Sequence, residues 1–168
     1  MFKFLQPDLY VESLLAIPYE RLWQQGIRGF IVDLDNTVTE WNLETLRPEV
    51  KEWFNRVREK GFKTCLVSNN RENRVASVAE ILDIPCISRA GKPRRRAFRQ
   101  AMGVMGTRRE ETAVVGDQLF TDILGGNRLG LYTVLVVPLT RREFIGTQLV
   151  RKIERLVLRT LSLDRPQH

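Results

Sequence analysis

The pattern that most constrains this chain is an alternation of two periodicities. Five short apolar, β-branched runs, at 29–33, 63–68, 85–88, 112–117 and 133–137, are separated by stretches with helical spacing. Runs that are apolar at nearly every position fit strands covered on both faces, and helices between them are the crossovers of a parallel sheet. Val50, Trp53, Phe54 and Val57 recur at i, i+3, i+4 and i+7, with Pro48 near the start of that stretch and Gly61 at its end. Val75, Val78, Ala79 and Leu82 mark a second helix, and Phe98, Ala101, Met102 and Met105 a third, in which Met and Phe serve as core packing. The expectation is an α/β fold, a Rossmann-like three-layer sandwich around a mainly parallel five-stranded sheet. Residues 1–26 carry scattered apolar positions and read as one or two short helices leading into a core at 29–137. Residues 141–161 put Ile145, Leu149, Ile153, Leu156 and Val157 on one side of a last helix, with Arg151, Lys152, Arg155 and Arg159 on the other. At about 150 residues per domain, 168 residues make one domain spanning 1–168.

In open α/β sheets, sites form beyond the carboxyl ends of the strands. The first run here passes directly into Asp33-Leu34-Asp35-Asn36-Thr37, the second ends in Ser68-Asn69-Asn70, Lys92 follows the third, and the fourth ends in Gly116-Asp117-Gln118 with Asp122 close behind. Taken alone, an Asp-x-Asp pair is as easily a turn or a helix cap. Four successive strand ends carrying such groups point to phosphate chemistry. Asp33 and Asp117 offer the hard oxygen ligands that suit Mg²⁺. One carboxylate could attack phosphorus, Asp35 could protonate the leaving oxygen and then activate water, and Ser68 and Lys92 could hold phosphate oxygens.

Composition removes competing chemistries. The only histidine, His168, is the final residue, which excludes Ser-His-Asp triads, phosphohistidine chemistry and His-rich metal sites. Cys65 and Cys86 lie in apolar stretches and read as small buried hydrophobes rather than a disulfide framework. With no apolar signal-peptide core near the start and no run of about 18 apolar residues, the expectation is a cytoplasmic protein, peripheral at the inner membrane face if it meets a membrane. The net charge of +7 is local. Arg89, Lys92, Arg94, Arg95, Arg96, Arg99, Arg108 and Arg109 come with no acidic residue among them, leaving 19 basic and 20 acidic residues elsewhere. This patch brackets Lys92 and would steer a polyanionic substrate, or else is a solvated helix face.

Asp33-Leu34-Asp35-Asn36-Thr37, Val67-Ser68-Asn69, Gly91-Lys92-Pro93 and Gly116-Asp117-Gln118-Leu119-Phe120-Thr121-Asp122 resemble the four ordered motifs of haloacid dehalogenase-like phosphatases. The resemblance implies Asp33 as nucleophile, Asp35 as general acid and base, and phosphate binding by Ser68, Asn69 and Lys92. It implies a Mg²⁺ site made by Asp33, the backbone carbonyl of Asp35, and Asp117. Thr37 and Asp122 would support it, Asp122 either through a metal-bound water or by fixing Lys92. More narrowly, Phe4-Leu5-Gln6-Pro7-Asp8, the first motif followed by Trp41, and the Gly116–Asp122 string are similar to the subfamily IIIA, YqeG-like group, itself similar to phosphatidylglycerophosphate phosphatases.

Members of this superfamily that act on small metabolites commonly carry a cap domain. The 35 positions from Asp33 to Ser68 and the 24 from Ser68 to Lys92 leave no room for one. An open site is covered by a large or surface-bound substrate or by a partner chain, which favours a macromolecular or membrane-presented phosphate monoester. The basic last helix is either a core-packed helix with its arginines in water or an element that fits the headgroup plane of an anionic membrane surface. The alternatives are the same chemistry on a nucleotide or nucleic-acid terminal phosphate, and an inactive binding module of the same fold. No aromatic residues interleave the arginines to stack bases, and a binding module has no need of Asp35 as a proton donor.

Overall fold

The computed structural model describes residues 3–40, 45–140, 145–161 and 166, with side chains outside the description also at 145–149 and 151. The expected turn near Trp41, His168, and the placement of Ile145, Leu149 and Arg151 therefore fall outside it.

Six parallel strands form one sheet in the order β1-β6-β5-β2-β3-β4, comprising β1 (Leu9–Val11), β2 (Gly29–Val32), β3 (Lys63–Val67), β4 (Cys86–Ile87), β5 (Thr112–Gly116) and β6 (Tyr132–Val136). The five expected strands are all present, within a residue or two at each end. The sixth is β1, inside the segment read as purely helical. It escapes the pattern because it has three residues and pairs with the far end of the chain, Leu9 opposite Val134. Thr133 N donates to Asp8 Oδ2 at 2.8 Å, which fixes this edge. The rest of the lead supplies short 3₁₀ turns and α1 (Tyr19–Gln24).

Side chains alternate across the sheet. Phe30, Val32, Leu66 and Val115 join α2 (Pro48–Lys60) and α3 (Glu72–Leu82) in one core, while Ile31, Cys65, Val67 and Val114 join α4 (Arg95–Met105) in another. The three-layer sandwich follows. Helix α2 begins with proline in its first turn and ends at Gly61, whose φ of 109° is a left-handed cap that glycine adopts without strain. A side chain there would also meet Trp23 at 2.9 Å. The intervals between the first three motifs hold only α2, α3 and two strands among the described residues, so no cap covers the strand ends.

Helix α6 (Ile145–Thr160) departs from its expected orientation. Ile153 and Leu156 are 49% and 65% exposed, whereas Glu154 and Val157 are buried. Val157 packs with Leu119, Ile123 and Leu135, with Leu158 and Leu161 alongside. The inward stripe therefore includes Glu154, Val157, Leu158 and Leu161, and a charged residue in its middle hid it from an apolar count. Among the described residues, no helix is long and apolar enough to cross a membrane.

Candidate active site

Strands β2 and β5 are neighbours, and the chain leaves them in opposite directions across the sheet, β2 toward β3 and β5 toward β6. Such a reversal opens a crevice at the carboxyl ends of the two strands. Gly29 pairs with Thr112 and Val32 with Val115, and Asp33 N donates to Val115 O at 2.9 Å. Asp33 and Asp117, each one residue past its strand, are thereby set at the same crevice.

Lys92 enters from the loop after β4. Its Nζ donates to Asp33 Oδ1 and Asp122 Oδ1, both at 2.6 Å, and its side chain is 3% exposed. Burial lowers the affinity of this ammonium for its proton, but the charges of Asp122 and Asp33 and their hydrogen bonds more than offset that, so its pKa lies above the ordinary lysine value. Burial pushes the Asp33 carboxyl up to about 7; Lys92 opposes this, and the nearby charge of Asp122 adds to it. Asp33, Asp117 and Asp122 each bring a carboxylate oxygen to within 4.8 Å of the others, and all three are buried. Three buried carboxylates against one ammonium make a donor set in need of further positive charge, with the hard oxygens a Mg²⁺-sized cation takes.

The loop after β5 is built around Asp122. A side chain on Gly116 would collide with the Asp122 carboxylate, so glycine is required there. Asp122 Oδ2 accepts from Gln118 N at 3.3 Å, and residues Leu119–Ile123 form a wide π-type turn that passes into α5 (Leu124–Asn127). Such turns occur often at functional sites.

Asp35 sits in a different environment. Arg74 Nη2 and Nε reach its Oδ1 at 2.7 and 3.2 Å, and Asn70 Nδ2 donates to its Oδ2 at 3.0 Å. Asn36, at φ 60°, turns the chain directly behind it, and its Oδ1 accepts from Thr140 Oγ1 at 2.9 Å. Thr37 is buried, and its hydroxyl has no hydrogen-bond partner among the described residues. Ser68 is buried at the end of β3, where its Oγ accepts from Asn70 N at 3.1 Å.

Residues 20–130 match the family described as haloacid dehalogenase-like hydrolases. The chain is 43% identical to the "Probable phosphatase YqeG" of Bacillus subtilis over 160 residues, covering 95% of this chain and 93% of that protein. The chain belongs to the haloacid dehalogenase-like hydrolases. Within them it is a phosphatase of the YqeG-like group. It is 28% identical over 95% of its length to "Phosphatidylglycerophosphate phosphatase 1, chloroplastic/mitochondrial" of Arabidopsis thaliana, and spans 48% of that longer protein. The fold is shared with the cobalt-bound deoxy-D-mannose-octulosonate 8-phosphate phosphatase of Haemophilus influenzae, at TM-score 0.53 and 14% identity, covering 83% of this chain and 92% of that one.

The side chain of Asn69, expected on the phosphate, is spent on the backbone of Lys92: its Oδ1 accepts from Lys92 N at 2.8 Å and its Nδ2 donates to Lys92 O at 3.3 Å. The two bonds bracket the lysine's peptide unit. Asp122 hydrogen-bonds Lys92, one of the two parts expected of it, and it also lies in the carboxylate cluster with Asp33 and Asp117. Arg74 and Glu154 were not anticipated, and Asn70 was noted only within the polar end of the second run. Arg74 lies one helical turn before Val78 and two before Leu82, on the buried stripe of α3. A charge on an apolar stripe was the signal.

Proposed function

We propose that this chain is a Mg²⁺-dependent phosphomonoesterase that works through an aspartyl-phosphate, and that its substrate is phosphatidylglycerophosphate or a similar phosphate presented at an anionic membrane surface. The observation that carries the chemistry is the buried trio of Asp33, Lys92 and Asp122, with Asp117 beside it at the crevice between β2 and β5. Lys92 engages Asp33 Oδ1 and leaves Oδ2 for attack on phosphorus. As the Asp33–phosphorus bond forms, the bond to the leaving oxygen breaks, and Asp35 gives that oxygen its proton. Asp35 then takes a proton from water, and the resulting hydroxide displaces the Asp33 carboxylate to release inorganic phosphate. Ser68 and Lys92 hold the phosphoryl oxygens, Asn69 keeps Lys92 in place, and Thr37 supports the loop after Asp33.

Asp33, Asp117 and the backbone carbonyl of Asp35 would hold the cation. When bound, Mg²⁺ supplies positive charge that offsets the repulsion between an anionic nucleophile and an anionic phosphate. Residues 1–168 act as one catalytic unit.

Three features support a membrane-presented phosphate. No cap covers the site among the described residues, which suits approach by a surface. Exposed Arg71, Arg89, Arg94, Arg95, Arg96 and Arg99 make no ion pair among the described residues and border the loops that carry Ser68 and Lys92. Helix α6 turns Ile153 and Leu156 outward beside exposed Lys152, Arg155 and Arg159, a composition suited to the headgroup region of a cytoplasmic leaflet. The similarity to phosphatidylglycerophosphate phosphatases agrees with this.

A substrate panel is the test. With Mg²⁺, turnover on phosphatidylglycerophosphate in mixed micelles should exceed that on nucleotides and 5′-phosphorylated oligonucleotides. Equal or absent turnover on the lipid rejects the substrate, and preference for the nucleotides selects the other phosphomonoester. Asp33→Asn should abolish hydrolysis of an aryl phosphate with the fold intact, and retained turnover removes Asp33 as nucleophile.

A further inference from the structure

Glu154 is a carboxylate buried to 4% exposure in the middle of α6, far along the chain from every motif. A buried carboxylate persists where it is hydrogen-bonded. Glu154 Oε1 accepts from Leu119 N at 2.7 Å and from Phe120 N at 3.4 Å. These are the first amides of the turn that follows Asp117 and carries Asp122. The first amides of any helical turn lack partners within the turn, and a side chain just before it normally supplies one. Here Gln118 occupies that position and makes no such bond. The acceptor comes instead from 35 residues downstream.

We infer that Glu154 is a positioning residue for the cation-binding carboxylates, and that the last helix is thus part of the catalytic apparatus. The lever is short. Leu119 lies two residues after Asp117 and three before Asp122, and both of those carboxylates belong to the cluster spanning 4.8 Å. Asp122 is further held by Gln118 N and Lys92 Nζ, so a shift of the 118–120 backbone moves it relative to the ammonium it orients. Val157, one turn further along α6, packs on Leu119 and Ile123 and supports the same turn by contact alone. The helix therefore holds the loop in two separable ways, one polar and one apolar.

This inference rests on the reading of Asp33 and Asp117 as cation ligands, with Asp122 beside them, and its test separates the two. Mn²⁺ binding to the purified full-length chain is followed by electron paramagnetic resonance, alongside thermal unfolding and the Mg²⁺ dependence of aryl phosphate hydrolysis. The wild type should bind Mn²⁺ and Asp117→Asn should lose it; a wild type that binds none overturns the cation site and the inference with it. Partners that hold metal ligands in place typically contribute about 10- to 100-fold to metal affinity, and Glu154→Ala should weaken Mn²⁺ binding by that factor. Glu154→Gln, which keeps an acceptor for the amides, should recover part of the loss. The Mg²⁺ concentration for half-maximal hydrolysis should rise in parallel. Val157→Ala should lower Tm with Mn²⁺ affinity unchanged. With a functional cation site, Glu154 variants that bind Mn²⁺ as tightly as wild type overturn the inference, as does a Val157→Ala that weakens binding as much as Glu154→Ala. If Glu154→Ala does not fold, Glu154→Gln decides alone: weaker binding supports the role and unchanged binding overturns it.

Discussion

At the scale of single residues, Lys92 governs the site because its ammonium is the only cation hydrogen-bonded to Asp33 and Asp122 among the described residues. Removing one member of a buried charge group leaves the others uncompensated, which typically costs about 3–5 kcal/mol. Lys92→Met in the metal-free protein should therefore lower unfolding free energy by about that amount at neutral pH in urea titration. A change within the ordinary surface range would show that the trio relaxes without its cation. Asp33 adds a pH dependence whose sign follows from its raised pKa. Its carboxyl binds a proton more tightly folded than unfolded, so its contribution is fully present below 3.8 and is lost as pH rises to about 7. In metal-free protein, the stability of wild type relative to Asp33→Asn should fall across that window and then level off; a difference that is flat with pH rejects the shift. The positions of Asp33, Asp35, Ser68, Lys92 and Asp117 were legible because strand ends locate them along the chain. Apart from the Lys92–Asp122 pairing, offered as one of two alternatives, their hydrogen-bond partners were not. Nothing in the local spacing says that Asn69 turns toward Lys92, a residue reached only after α3 and β4 have been laid down.

At the scale of elements, the apolar stripes of α2, α3 and α4 were read correctly, and what periodicity missed was the polar residue inside a stripe. Arg74 on α3 and Glu154 on α6 both occupy buried positions, and each leaves its helix to serve a catalytic loop. The hydropathy of an ionised side chain argues against burial, and only a partner supplied by the tertiary fold reverses that. The short edge strand β1 was missed for a related reason, since its pairing with β6 is entirely non-local. For Arg74 the consequence is measurable. Hydrogen bonds to charged groups contribute about 1.5–3 kcal/mol, so Arg74→Met, which keeps the aliphatic stem, should reduce kcat on an aryl phosphate by roughly 10- to 100-fold if all of that is lost in holding Asp35. Circular dichroism should show the helix retained. Turnover equal to wild type would mean that Asn70 alone suffices to orient Asp35.

At the scale of the whole molecule, the sheet order does most of the functional work, because the reversal between β2 and β5 brings Asp33 and Asp117 together from positions 84 residues apart. Among the described residues no cap lies over this crevice, so a large or surface-bound substrate, or a partner chain, would cover the phosphate during turnover. The unpaired arginines of the 71–99 region then act at a distance rather than by contact, and distance is what salt controls. Raising NaCl from about 0.1 to about 1 M shortens the screening length from about 10 to about 3 Å. Electrostatic steering of this kind typically accounts for about 10- to 1,000-fold in association rate. Hydrolysis of a phosphate monoester carried on anionic vesicles should accordingly fall by about tenfold or more over that range, while a soluble aryl phosphate, which meets the buried Lys92 directly, should change far less. Replacing Arg94 and Arg95 by glutamate should remove most of the salt dependence on vesicles and leave aryl phosphate turnover intact. If both substrates respond alike to salt, or the two reversals leave the vesicle profile unchanged, the arginines are a solvated face and the membrane surface is recognised elsewhere.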